Sequence, residues 1–163
     1  MDEMRGPSGE RVEVVQPLTL QQVKMLRAAA ERGAAVAQYK LGLHHLAGMH
    51  VEQSVELAAA LFRKAAERGN PDAQEHLSQC YTQGQGVARN LTLGLKWARA
   101  AADQGSLLSQ FNVGLAFAKG ALQGIPLGDS CGEVPDYALA AKYYRMAANQ
   151  GRGVIVNKHS TNV

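Results

Sequence analysis

Apolar residues return every fourth position along most of the chain, and each run is cut short by a glycine-bearing or polar stretch. Between residues 71 and 84, Ala73, Leu77 and Tyr81 share one helical face. Pro71-Asp72 suits the first turn of that helix, and Gly84-Gln85-Gly86 suits its end. A second helix is predicted from about Asn90, with Leu93, Trp97 and Ala101 at the same interval, stopping at Gly105. The scheme recurs on both sides. Ala37, Leu41 and His45 are followed by Ala58, Leu61 and Ala65; Ser109, Val113 and Phe117 are followed by Ala140, Tyr143 and Ala147. The period predicts three pairs of helices.

The pairs are copies of one unit. Ala29-Ala30-Glu31-Arg32-Gly33 returns as Ala65-Ala66-Glu67-Arg68-Gly69, as Ala101-Ala102-Asp103-Gln104-Gly105 and as Ala147-Ala148-Asn149-Gln150-Gly151, the closing glycines standing 36, 36 and 46 residues apart. Self-similarity at a period of this size signals stacked helical repeats. Units are therefore expected at 34–69, 70–105 and 106–151, the last with an insertion near 121–135 where Gly, Pro and Ser collect. Residues 17–33 match only the second half of a unit and predict a capping helix. Residues 1–16 are read as a flexible N-terminal segment, and 152–163 as a C-terminal tail without helical pattern. Such a tail leaves the last unit without a cap, so a homo-oligomer through that end, or Val154-Ile155-Val156 folding back, is an expectation.

Two classes of small residue have different causes. Gly33, Gly69, Gly105 and Gly151 fall just past predicted helix ends, where glycine adopts a left-handed backbone at little cost. Gly42 and Gly114, with Ser78 at the matching place, fall mid-helix, where glycine costs about 1 kcal/mol against alanine. A neighbouring helix pressed close would explain them.

Composition narrows the class further. Hydrophobic residues make up 46% and charged residues 19%, within the range of folded chains, while aromatics at 6% are few for a β-sandwich. Seventeen basic and fourteen acidic residues leave a net charge of +3, scattered rather than gathered into a stripe, which argues against a nucleic-acid partner. No apolar run reaches the roughly twenty residues of a membrane span, and the N-terminus lacks the apolar core of a secretory signal. Cytoplasmic localisation and no membrane partner are the expectations. Cys80 and Cys131 form neither a metal pattern nor a disulfide framework. His44, His45 and His50 are poorly spaced for a metal, since adjacent helical residues point about 100° apart. No metal and no cofactor are expected, and the three histidines are read as structural.

Taken together, Ala37, Leu41-Gly42, Gly48, Val51, Ala58, Leu61-Phe62 and Lys64-Ala65-Ala66-Glu67-Arg68-Gly69 in the first unit resemble the Sel-one-like repeat family, relatives of tetratricopeptide repeats. Ala73, Leu77, Tyr81, Gly84-Gln85-Gly86-Val87 and Lys96-Trp97 carry the resemblance in the second, and Gly114, Phe117, Gly120 and Lys142-Tyr143-Tyr144 in the third. It spans about Pro17 to Gly151. His45 stands where the family has an aromatic Tyr, and His50 where it has a second loop glycine; both are expected to weaken unit one locally. The resemblance implies an all-α fold, an α-solenoid of stacked antiparallel helix pairs with about three and a half repeats. It also implies a non-catalytic protein-interaction scaffold or adaptor that holds a partner peptide or helix in a concave groove.

In the related repeats the first helix of each unit lines that groove. The candidate partner-binding residues are then Tyr39 and Leu43 in unit one, Glu75 and Gln79 in unit two, and Phe111 and Leu115 in unit three. Val36, Asp72 and Leu108 lie beside them. The apolar, polar, apolar order suits a segment with two apolar anchors around a polar middle. The competing reading is that Tyr39, Leu43, Phe111 and Leu115 simply pack on neighbouring helices. The insertion is a candidate for specificity, because loops on rigid scaffolds carry binding, or else a tolerated expansion. No catalytic constellation of nucleophile, base and acid is visible, so no enzyme is expected. Two alternatives are an RNA-binding helical repeat and a β-lactamase-like hydrolase of the kind suggested for disulfide-rich relatives. The latter have paired cysteines in each repeat, whereas Cys80 and Cys131 stand 51 positions apart.

Overall fold

The computed structural model describes residues 19–119, 126–127, 130–131 and 136–159, with side chains for 19–119 and 136–150. Seven helices are found among them: α1 Leu20–Glu31, α2 Ala35–Ala47, α3 Val55–Glu67, α4 Pro71–Gln83, α5 Leu91–Asp103, α6 Leu107–Lys119 and α7 Tyr137–His159. Within the insertion, Pro126–Leu127 (β1) pairs antiparallel with Ser130–Cys131 (β2), Pro126 opposite Cys131. Each helix packs on the next in sequence, most extensively within the pairs α2/α3, α4/α5 and α6/α7. The molecule is an all-α repeat solenoid.

The helix starts follow from residues that satisfy the free backbone donors of a first turn. Thr19 forms a reciprocal capping box with Gln22 ahead of α1. Ser54 caps α3, Asn70 caps α4 and Asn90 caps α5, each through a side-chain oxygen that accepts from the N–H three residues on. Pro71 stands in the first turn of α4, where it has no hydrogen bond to lose. At the other ends Gly33, Gly69 and Gly105 carry φ of 89°, 84° and 101°, the left-handed geometry their spacing predicts.

Packing explains the small mid-helix residues. A Cβ on Gly42 would lie 2.6 Å from Cε1 of Phe62, and one on Gly114 would lie 2.9 Å from the ring of Tyr144. The second helix of a unit also buries more than the single stripe expected of it. In α3, Ala58, Ala59, Phe62, Ala65 and Ala66 are all buried, because α3 is pressed between α2 and α4. The corresponding face of α5 buries Leu95, Ala98, Ala101 and Ala102. Alanine is abundant there because it lets helix axes approach while still removing apolar surface from water.

Two hydrogen-bond devices repeat with the units. The N–H of the residue capping each second helix donates to a carbonyl near the end of the first: Ser54 to His45 at 2.9 Å, Asn90 to Tyr81 at 2.8 Å and Asp136 to Phe117 at 3.1 Å. The insertion opens between the third pair of anchors and leaves that contact intact. The second device is a row of buried glutamines. The Nε2 of Gln38, Gln74 and Gln110 donates to the carbonyls of Ala30, Ala66 and Ala102 at 3.1, 3.2 and 3.0 Å, tying each first helix to the helix before it. Oε1 of Gln74 then accepts from Gln104 at 2.7 Å, and that of Gln110 from Gln150 at 3.3 Å. Arg68 stands at the matching place in unit one, and Oε1 of Gln38 has no partner among the described residues. The Arg68 guanidinium lies over Gly33 instead.

One expectation meets a different outcome. α7 runs through Gly151 and on to His159, where the sequence predicts an end at Gly151. At Gly33, Gly69 and Gly105 the chain turns to begin another first helix, whereas through Gly151 the backbone continues as helix. His50 occupies the left-handed region with φ 60°, as Gly86 does at 67° in the next unit. For a residue with a Cβ that conformation costs about 1–2 kcal/mol, the physical ground for expecting His50 to weaken unit one.

Candidate interaction groove

The first helices of the units, α2, α4 and α6, lie side by side, joined through Tyr39 against His76 and through Glu75 against Ser106. At the α2 end, Tyr39, Phe62 and His76 form an aromatic triangle with centroids 5.2–5.9 Å apart. Such tilted and edge-on pairs add to simple burial because ring edges meet ring faces. Tyr39 is half-buried, and both it and Leu43 pack against the core that contains Phe62, Leu77 and Tyr81. Burial raises the Tyr39 phenol above its ordinary pKa, and the nearby carboxylates of Asp72 and Glu75 push it the same way. Val36, one turn earlier, stands exposed.

The middle helix is polar. Glu75 is half-buried and is engaged by the hydroxyls of Ser106 and Ser109, the latter at 3.4 Å. Ser106 caps α6, its Oγ accepting from the N–H of Ser109 at 3.1 Å, so the carboxylate sits at the positive end of a helix. Gln79 lines an open groove of about 320 Å³ between α4, α5 and α6, together with Ser78, Thr82, Gly94, Ala98 and Asn112. At the α6 end Phe111 is 50% exposed while its ring leans on Tyr144 at 5.8 Å, and Leu107 and Leu108 are exposed beside it. Leu115 is half-buried one turn on.

The six candidate residues thus share one side of the three first helices, with different degrees of engagement. Tyr39 and Leu43 are partly used in packing, Glu75 is tied to α6, and Gln79 and Phe111 are accessible. His76 was not singled out from sequence, and Phe62 and Tyr144 entered there only as carriers of the family resemblance. His76 lies on α4 itself, while the rings of Phe62 and Tyr144 reach the first helices over the mid-helix glycines, Phe62 fully buried there. Spacing carried that signal, since Phe62, Ala98 and Tyr144 fall at one register of the repeat.

The remaining residues of chemical interest have local roles. Nδ1 of His44 lies 3.0 Å from the Met49 carbonyl, and Nδ1 of His45 lies 2.9 Å from that of Glu52, so each fastens the α2–α3 loop. Among the described residues no group of three potential ligands could hold a metal ion. Cys80 is buried, and burial raises its thiol pKa, which keeps it protonated and unreactive. The side chain of Cys131, most of the insertion, residues 1–16 and the side chains of Val154-Ile155-Val156 lie outside the described residues. No described helix is long and apolar enough to cross a membrane.

The Sel1 repeat family model matches residues 35–70, 71–106 and 107–151. No curated protein matches the chain significantly. Among solved structures, a Sel1 repeat protein from Oxalobacter formigenes is 29% identical with a TM-score of 0.68, over 79% of this chain and 49% of that one. A protective antigen of uropathogenic Escherichia coli that displays an SLR fold is 27% identical with a TM-score of 0.69, over 81% of this chain and 26% of that one. The chain therefore spans about half the length of the first and about a quarter of the second. With three matched repeats covering most of its length, a helix pair for each and the same solenoid in these neighbours, the chain belongs to the Sel1 repeat family.

Proposed function

We propose that this protein is a non-catalytic scaffold that holds a partner peptide or helix along α2, α4 and α6. Sel1 repeats generally serve as protein-interaction scaffolds. The observation that carries the reading is the surface order: exposed Val36 beside the Tyr39 cluster, a polar stretch with an open groove at Gln79, then exposed Leu107, Leu108 and Phe111. Exposed apolar residues grouped on one face beside a groove mark an interaction site more often than a solvated surface. Glu75 contributes chiefly by fixing α6 relative to α4. Of the six, Phe111 has the most surface to offer, with Gln79 at the groove and half-buried Leu115 beside it. Neither the RNA-binding nor the β-lactamase-like alternative gains support.

Peptides selected from a displayed random library against the full chain test this. The double variant Leu108→Ser, Phe111→Ala is expected to lose at least tenfold in affinity, since truncating a hot-spot aromatic costs about 2 kcal/mol or more and about 1.4 kcal/mol is tenfold. Its melting temperature should stay close to that of the parent, because both residues are about half exposed. Unchanged peptide affinity would refute the groove.

A further inference from the structure

The groove at Gln79 has an origin in the repeat itself. In unit one the ring of Phe62, from the second helix, fills the space over Gly42 beside Tyr39 and His76. In unit three the ring of Tyr144 fills the same space over Gly114 beside Phe111. At the matching register unit two has Ala98 in place of the aromatic and Ser78 in place of the glycine, and the next unit brings Asn112 where unit two brings His76 to Phe62. Ser78, Ala98 and Asn112 all line the 320 Å³ groove. The lining is mostly carbon from Ala98, Gly94 and Leu95, edged by the amides of Gln79 and Asn112. A benzene-sized guest needs on the order of 150 Å³.

From this we infer that the groove is a slot for one aromatic side chain, Phe or Tyr, of the bound partner segment, which supplies from outside the ring that Phe62 and Tyr144 supply from inside. The occupant is defined by the two filled copies: a ring laid on a small residue of the first helix, flanked by first-helix side chains. The amides at the edge add donors and acceptors for the peptide backbone next to that ring or for a phenol. The inference rests on the scaffold reading and names its central anchor, lying between the apolar ends at Val36 and Phe111.

The test is a titration of the isotope-labelled full chain with N-acetyl-phenylalanine amide and N-acetyl-tyrosine amide, with N-acetyl-alanine amide as control, followed by amide chemical shifts. The aromatic probes should move signals of residues 78–83, 94–98 and 112–116, with half-saturation on the order of 1 mM, as befits a small fragment. The alanine probe should not. The double variant Ser78→Gly, Ala98→Phe copies unit one into unit two; it should abolish these shifts and melt no lower than the parent. Should that variant fail to fold, the location of the shifts in the parent chain decides. Absent shifts, shifts elsewhere, or shifts undiminished in the folded variant would overturn the slot. Library-selected peptides separate this from failure of the scaffold reading. Peptides that bind parent and variant equally well reject the slot and leave the scaffold standing, whereas failure to select any groove-binding peptide rejects both. Concentration-dependent self-association that protects the slot would make a second copy the occupant and likewise overturn it.

Discussion

Units one and two share a length of 36 residues and the same helix pair, yet they close the gap between those helices differently. Unit one has glycine under a phenylalanine ring; unit two has serine beside an alanine and leaves a groove. Unit three, despite its insertion, returns to the first solution with Gly114 and Tyr144. A repeat fold can thus vary one interior register without disturbing its neighbours, because each unit contacts only those on either side. At this one register two copies are filled by a ring and the remaining one is open, forming part of a groove.

The strongest way to break the contrast is to open unit one. Phe62 is 0% exposed and belongs to the core cluster with Ala58, Leu77 and Tyr81. Phe62→Ala should cost about 3–5 kcal/mol, the usual range for a buried aromatic truncated to alanine, read as a lowered midpoint in denaturant unfolding. Ala98→Gly in unit two should cost about 1 kcal/mol, mostly helix propensity. Equal losses would mean that the two registers are energetically alike and that the groove is no special feature.

A smaller effect is expected from crowding a filled copy. Gly114→Ala puts a methyl 2.9 Å from two carbons of the Tyr144 ring, closer than real contacts allow. Displacing the ring should cost about 1–3 kcal/mol, against roughly 1 kcal/mol gained in helix propensity, for a net loss measurable by thermal unfolding. Because Phe111 leans on Tyr144, the same change should weaken peptide capture at the α6 end. A gain in stability would show that the small residue at this register is not there to admit a ring.

Much of this was legible in the sequence, and the parts that were not share a cause. The helix pairs were readable because Ala73, Leu77 and Tyr81 and their counterparts hold a strict four-residue interval, and the turns because Gly33, Gly69 and Gly105 recur where the backbone is left-handed. The second buried stripe of α3 escaped, since following one stripe implies one neighbour, whereas α3 has two. Gln38, Gln74 and Gln110 were passed over because a polar residue on an apolar face reads as exposed; only their 36-residue recurrence marks them. Register places the candidate contacts on α2, α4 and α6, but the hold of Ser106 and Ser109 on Glu75 depends on how successive units stack, which no single unit encodes.

The finest contrast lies in the glutamine row, where unit one now differs from both others. Gln74 and Gln110 each donate to a carbonyl and accept from a glutamine that directly precedes a glycine, while Gln38, only 4% exposed, donates to Ala30 and accepts from no described residue. A buried acceptor without a partner costs about 1–3 kcal/mol relative to a satisfied one. Arg68→Gln would restore at this corner the pairing seen between Gln104 and Gln74. The change also withdraws a guanidinium from over Gly33, an exposed contact of little energetic weight. The net expectation is a gain of about 0.5–1 kcal/mol, seen as a higher melting temperature, with slower hydrogen exchange at the start of α2. The gain should vanish in a Gln38→Leu background, where nothing remains for the new amide to satisfy. If Arg68→Gln stabilises both backgrounds equally, the effect belongs to surface charge, and the row is not a coupled device but three separate ties.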